Sequence, residues 1–74
     1  MLVTRDGQIV SYDKIERLTP RELAVAREFS KDRSYAQIAL ALSITPNTVK
    51  AHAGNVRRKL GVRRREDLIG LLIP

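Results

Sequence analysis

An amide, a lysine and a cationic triplet fall within one short run, Thr45-Pro46-Asn47-Thr48-Val49-Lys50-Ala51-His52-Ala53-Gly54-Asn55-Val56-Arg57-Arg58-Lys59-Leu60-Gly61. The chemistry open to these groups is recognition rather than bond-making. An amide can form paired hydrogen bonds to an adenine edge, a lysine can reach guanine O6 and N7, and guanidinium groups neutralise phosphates. Their spacing supports that use. Val49, Ala53, Val56 and Leu60 recur at helical intervals and form a narrow apolar stripe. The opposite face carries Asn47, Lys50, Ala51, Gly54 and Arg58, with Arg57 beside it. A helix that is core on one side and short, polar or cationic on the other suits the major groove of DNA.

Other chemistries find little support. There is no cysteine, so neither disulfides nor thiolate metal sites are available. The single histidine, His52, lies between the two helix faces without Cys, Asp or Glu at ligand spacing, and a structural role is expected for it. No nucleophile–base set and no phosphate loop occurs, so the chain is read as a non-enzyme without metal or cofactor. No apolar run approaches the roughly 20 residues of a membrane span. The opening Met-Leu-Val-Thr-Arg-Asp-Gly breaks too early for a signal peptide, and a cytoplasmic location is expected.

The net charge is +6, and its distribution is uneven. Residues 1–30 hold five basic and five acidic side chains; residues 31–74 hold nine basic and three acidic. No acid occurs between Asp32 and Glu66, the interval that contains Lys50, Arg57, Arg58, Lys59, Arg63, Arg64 and Arg65. A one-sided cationic surface is the footprint of a polyanion binder. Arg57, Arg58 and Lys59 are expected on phosphates, with Glu22 or Glu28 as alternative partners for Lys59.

The elements that must position this helix are punctuated clearly. Residues 1–17 read as an N-terminal arm, with two β-prone runs about Asp6-Gly7 forming a candidate hairpin and Asp13 to Arg17 a linker or short helical turn. A helix starts at Thr19-Pro20, with Thr19 and Glu22 as a capping box and Leu18 and Leu23 as a hydrophobic staple. It buries Leu23, Val25, Ala26 and Phe29 and fades near Ser30 to Asp32. A second box, Ser34-x-x-Gln37, starts a helix with Tyr35, Ile38, Ala39 and Leu42 on one face. The link Ser43-Ile44 leads to Thr45, the cap of the third helix, which runs to Leu60 with Gly61 as its left-handed stop. The usual turn glycine is absent; Ser43 occupies that region. Two short helices with a tight link are the helix-turn-helix plan. A last helix is expected from about Arg65 to Leu72. Arg63, Arg64 and Arg65 stand at its positive end, a local conflict that points to phosphate contact. Leu68-Ile69-Gly70-Leu71-Leu72-Ile73 is apolar nearly all round, so Leu68, Leu71 and Leu72 are candidates for a homodimer interface.

In order along the chain, Leu18-Thr19-Pro20-Arg21-Glu22, Ile38-Ala39, Thr48-Val49-Lys50-x-His52, Lys59-Leu60-Gly61-Val62 and Arg65 resemble the LuxR/FixJ-type (GerE-like, NarL-like) DNA-binding domain. The match covers about residues 18–69. The resemblance implies a four-helix domain of bacterial transcription regulators whose third helix enters the major groove and whose fourth commonly mediates dimerisation. It implies base contacts from Lys50, Ala51 and Gly54, with Asn47 nearby on the same face. It implies phosphate contacts from Thr45, Thr48, Arg58, Ser34 and Tyr35. The sequence departs from the pattern at Asp32, where the family usually has glycine, at Gly54, where many members carry a larger residue, and at Arg63-Arg64, which replace a small polar cap.

The expectation is therefore an all-α helix-turn-helix domain over residues 18–74 with a short arm over 1–17. It would bind double-stranded DNA sequence-specifically as a homodimer in the bacterial nucleoid, with RNA polymerase a further candidate partner. The alternatives are a protein-interaction module that docks its basic face on an acidic partner, and an architectural DNA-binding protein.

Overall fold

The computed structural model describes residues 2–3 and 9–69. Two strands, β1 (Leu2–Val3) and β2 (Ile9–Val10), pair antiparallel in the register Leu2 to Val10 and Val3 to Ile9. Four α-helices follow: α1 (Tyr12–Glu16), α2 (Pro20–Ser30), α3 (Tyr35–Leu42) and α4 (Pro46–Leu60). A single 3-10 turn, Arg65–Leu68, comes after them. β2 ends at Val10, and Ser11 turns the chain into α1. Residues 4–8, which include the Asp6-Gly7 turn, lie outside the described residues.

Each long helix starts as its side chains dictate. The Thr19 hydroxyl accepts the Glu22 N–H at 3.1 Å, and the Glu22 carboxylate accepts the Thr19 N–H at 2.9 Å. Ser34 and Gln37 repeat the reciprocal pair at the same two distances. Thr45 accepts the Thr48 N–H, with Pro46 in the first turn, where no N–H is needed. Each such cap satisfies donors that the helix leaves orphaned and contributes about 1 kcal/mol.

The helix ends bring α2, α3 and α4 to their angles through left-handed residues. Asp32 (φ 60°), Ser43 (φ 56°) and Gly61 (φ 70°) each reverse the chain just past a helix. At Ser43 the following Ile44 N–H returns to the Ala39 carbonyl, and at Gly61 the Val62 N–H returns to the Arg57 carbonyl. These are Schellman-type closures, which need a positive φ whatever the residue. Asp32 and Ser43 therefore hold the conformation that glycine adopts at lower steric cost.

The core is one cluster drawn from every helix. Val25, Ala26 and Phe29 of α2, Ile38 and Ala39 of α3, and Val49, Ala53, Val56 and Leu60 of α4 are buried, together with Val10, Ile15, Leu18, Val62 and Leu68. Leu23, expected inside, is only partly buried; Glu22 takes an inner position instead. The Phe29 and Tyr35 rings meet edge to face at 5.5 Å and join α2 to α3. The Arg21 guanidinium donates to the Leu42 carbonyl, one of the unpaired acceptors at the end of α3.

The helix expected from Arg65 to about Leu72 takes another form. It is a 3-10 turn that ends at Leu68, and Ile69 is already extended (φ −68°, ψ 128°). Arg64 supplies no side-chain cap, and arginine at the positive end opposes the dipole. Asp67 and Leu68 are adjacent and both buried, which a short tight turn packed on α2 permits. Residues 70–74, with Leu71 and Leu72, lie outside the described residues.

Candidate nucleic-acid interface

The buried stripe of α4 fixes which of its side chains face outward. With Val49, Ala53, Val56 and Leu60 fully enclosed, Asn47, Lys50 and Ala51 are exposed, Gly54 is half-exposed and Arg58 is exposed. The five residues named for that outer face are thus brought together on one surface by burial of the other. Positions three and four apart on a helix are neighbours, so they form one row. A Cβ built on Gly54 meets nothing within 4 Å, and its φ is not positive. The fold places no demand for glycine there.

The polar groups flanking this row are held by local bonds. Thr45 and Thr48 share a hydroxyl–hydroxyl hydrogen bond of 2.9 Å at the entry of α4. Ser34 is exposed and engaged in its cap; Tyr35, next to it, packs on Phe29. Arg58 donates to the Asn55 amide oxygen at 2.9 Å, which braces its guanidinium along the helix. Arg57 is half-buried, and its Nε has no hydrogen-bond partner among the described residues. His52 is half-buried on the flank of the row.

The cations differ in what already neutralises them. Glu28 faces Arg33 at 3.1 Å and Lys31 at 3.7 Å. Arg64 lies 3.8 Å from Asp67, while its own side chain is 66% exposed. Lys59 meets Glu22 at 2.6 Å and so takes the second of the two roles weighed for it. That ammonium, with the Thr19 N–H, holds the Glu22 carboxyl below its ordinary value. Lys50, Arg57, Arg58 and Arg63 have no carboxylate partner among the described residues. Lys50, Arg57 and Arg58 lie on α4 and Arg63 in the turn after it, so four cations without a carboxylate partner cluster at that edge. Of the Arg65 side chain nothing is described.

Leu68, expected at an intermolecular surface, is fully buried in the chain's own core. Its apolar surface is consumed within the monomer because the 3-10 turn packs against α2. The Arg21–Leu42 bond and the burial of Asp67 carry no sequence signal, since each depends on segments far apart or on the unexpected tight turn.

Among the described residues no group of His, Cys, Asp and Glu could hold a metal ion, and no helix is long and apolar enough to cross a membrane.

Comparison with known proteins agrees with this geometry. The signature of the family described as "Bacterial regulatory proteins, luxR family" (GerE) matches residues 16–72. The chain is 46% identical over 54 residues to the transcriptional activator protein YukR of Yersinia ruckeri, covering 73% of this chain and 24% of that protein. It is 47% identical over 53 residues to the nitrate/nitrite response regulator protein NarP of Escherichia coli (strain K12), covering 72% and 25%. Against the two-component response regulator PprB of Pseudomonas aeruginosa the figures are 43% over 58 residues, 78% and 21%. The chain spans about a quarter of the length of these curated relatives. No solved structure matches it significantly. The family's members are DNA-binding transcription regulators rather than enzymes. With a capped helix pair leading into an exposed cationic helix, this chain belongs to the luxR family of bacterial regulatory proteins and carries its helix-turn-helix DNA-binding domain.

Proposed function

We propose that α4 lies in the major groove and reads a short half-site, with Lys50 and Asn47 making most of the direct base contacts. Ala51 and Gly54 bring the helix backbone close to the base edges. Thr45, Thr48, Ser34, Tyr35, Arg57, Arg58, Arg63, Arg64 and Arg65 hold the phosphates and fix the register. The observation that carries this reading is the row Asn47, Lys50, Ala51, Gly54 and Arg58, turned outward by a fully buried opposite stripe. The recognising unit is residues 18–74, and residues 1–17 are an arm to it. The site acts in the cytoplasm, on nucleoid DNA, with RNA polymerase as a further partner of the bound regulator.

The domain binds as a two-fold dimer through Leu71 and Leu72, a reading supported by the apolar run that continues to Ile73. Sedimentation at high micromolar concentration tests it: a monomer there removes the dimer from the scheme.

The groove reading is tested by duplex binding at rising salt. Affinity is expected to fall steeply between about 50 and about 200 mM, as phosphate contacts require. Lys50→Ala is expected to lower the preference for a selected site over random duplex by about 1–3 kcal/mol. A salt-insensitive affinity sinks the groove reading and favours an acidic protein as the partner of the basic face, whereas an unchanged preference in that variant removes Lys50 from the base-reading set.

A further inference from the structure

Lys59 stands in the most basic run of the recognition helix, beside Arg57 and Arg58, yet its charge is turned inward. Its ammonium lies 2.6 Å from Glu22 Oε1 and 3.4 Å from the Arg17 carbonyl oxygen. The same Oε1 accepts the Thr19 N–H at 2.9 Å, so one carboxylate oxygen serves both the cap of α2 and the last turn of α4. The Glu22 side chain is 6% exposed and that of Lys59 29%. This joins three segments at one point: the Arg17 turn, the start of α2 and the end of α4.

We propose that Lys59 and Glu22 form an internal clamp that sets the direction of α4 in the groove, and that Lys59 contributes no phosphate contact. Lys59 is thus a positioning residue, and the inference rests on the reading of α4 as the groove helix. Two arguments support it. An ammonium already neutralised by a carboxylate displaces no counterion from DNA, so it adds nothing to the salt dependence of binding. A buried charge pair contributes little net stability against neutral groups of the same shape but fixes one geometry, because only one arrangement satisfies both partners. The core along Val49, Ala53, Val56 and Leu60 holds α4 against its neighbours without directionality. The clamp supplies a directional contact at one end, about 42 residues along the chain from Arg17 and 37 from Glu22.

The test uses the full chain and the double variant Glu22→Gln/Lys59→Met. It keeps an oxygen for the Thr19 N–H and removes both charges at once. The expected result is an unchanged salt slope with a roughly tenfold loss of preference for a selected duplex over a random one. Arg58→Ala, measured alongside, is expected to reduce the slope by about one charge's worth. A slope reduced in the double variant as in Arg58→Ala overturns the proposal, because Lys59 is then a phosphate ligand. Full preference in the double variant also overturns it, because the pair then only stabilises the fold. If the wild-type chain itself shows no salt slope and no preference, the groove reading fails, and the clamp's role in DNA binding with it. A second measurement needs no variant. Lysine acetylation footprinting of the wild-type protein should find Lys59 slow with or without DNA, and Lys50 fast until duplex is added. Lys59 as fast as Lys50 in the free protein, and shielded by duplex as Lys50 is, overturns the clamp.

Discussion

Lys50 and Lys59 are the same residue type on one helix, nine positions apart, yet the fold uses them differently. Lys50 is exposed, with no carboxylate partner among the described residues. Lys59 is bound to Glu22 and to the Arg17 carbonyl. The contrast extends to the surroundings of each. The first half of α4 presents short, unencumbered groups, with open space beside Gly54. The last turn is tied to α2 and closed by Gly61. Formal charge therefore overstates the charge available to a ligand, and the difference lies in which cations an internal carboxylate has already claimed.

The largest expected effect that separates the two ends is on stability. Lys59→Ala leaves the Glu22 carboxylate buried without its cation, and urea unfolding should show a loss of about 2 kcal/mol; the partly solvated ammonium keeps this below the cost at a fully buried pair. Lys50→Ala should stay within about 0.5 kcal/mol of wild type. Equal losses at the two positions would erase the contrast.

Next comes Gly54→Ala. Nothing obstructs the added Cβ, so the variant should gain about 1 kcal/mol in helix stability by the same measurement. If the backbone at Gly54 approaches DNA closely, affinity for duplex should fall while the fold becomes firmer. Higher stability with undiminished affinity would mean that the first half of α4 stands off from the bases.

Acid provides a third comparison. The Lys59 ammonium and the Thr19 N–H lower the folded-state pKa of Glu22 from its ordinary 4.5. A carboxylate of lowered pKa contributes stability that is full above its unfolded value and lost as pH falls through the folded one. Unfolding free energy measured below pH 4.5 should therefore decline more steeply for wild type than for Glu22→Gln. Parallel curves would show that the clamp does not titrate in that range.

The smallest effect concerns the junction that delivers the chain to α4. Ser43→Gly relieves a left-handed serine at the cost of a more flexible unfolded chain, for a net gain of about 0.5 kcal/mol in thermal unfolding. Duplex affinity should not change, since Ser43 is not on the outer row of α4. A change in affinity would place control of recognition in the junction rather than in the two ends of the helix.

Much of this was legible from the sequence where the signals are local. The two capping boxes, the Thr45-Pro46 start, the Gly61 stop and the buried stripe of α4 all follow from side chains within a few residues of one another. The absence of a turn glycine was legible too, but not that Asp32 and Ser43 would adopt its conformation. Past Gly61 the sequence misled. The apolar run beginning at Leu68 suggested a helix with Leu68 at an outward interface, whereas Leu68 closes the core and, among the described residues, only a 3-10 turn to Leu68 is formed. An all-round apolar pattern has no preferred face, so only the space left against α2 could decide which side chain turned in.

The sequence by itself determined where the three long helices begin and end and which face of α4 is outward. Caps, left-handed stops and apolar periodicity act over one or two turns. The tertiary structure alone decided which cations remain free. Lys59 and Glu22 are 37 residues apart, and Arg21 and the Leu42 carbonyl 21 apart. Coulomb and hydrogen-bond partners at such separations are chosen by the packing of helices, and no local pattern records that choice.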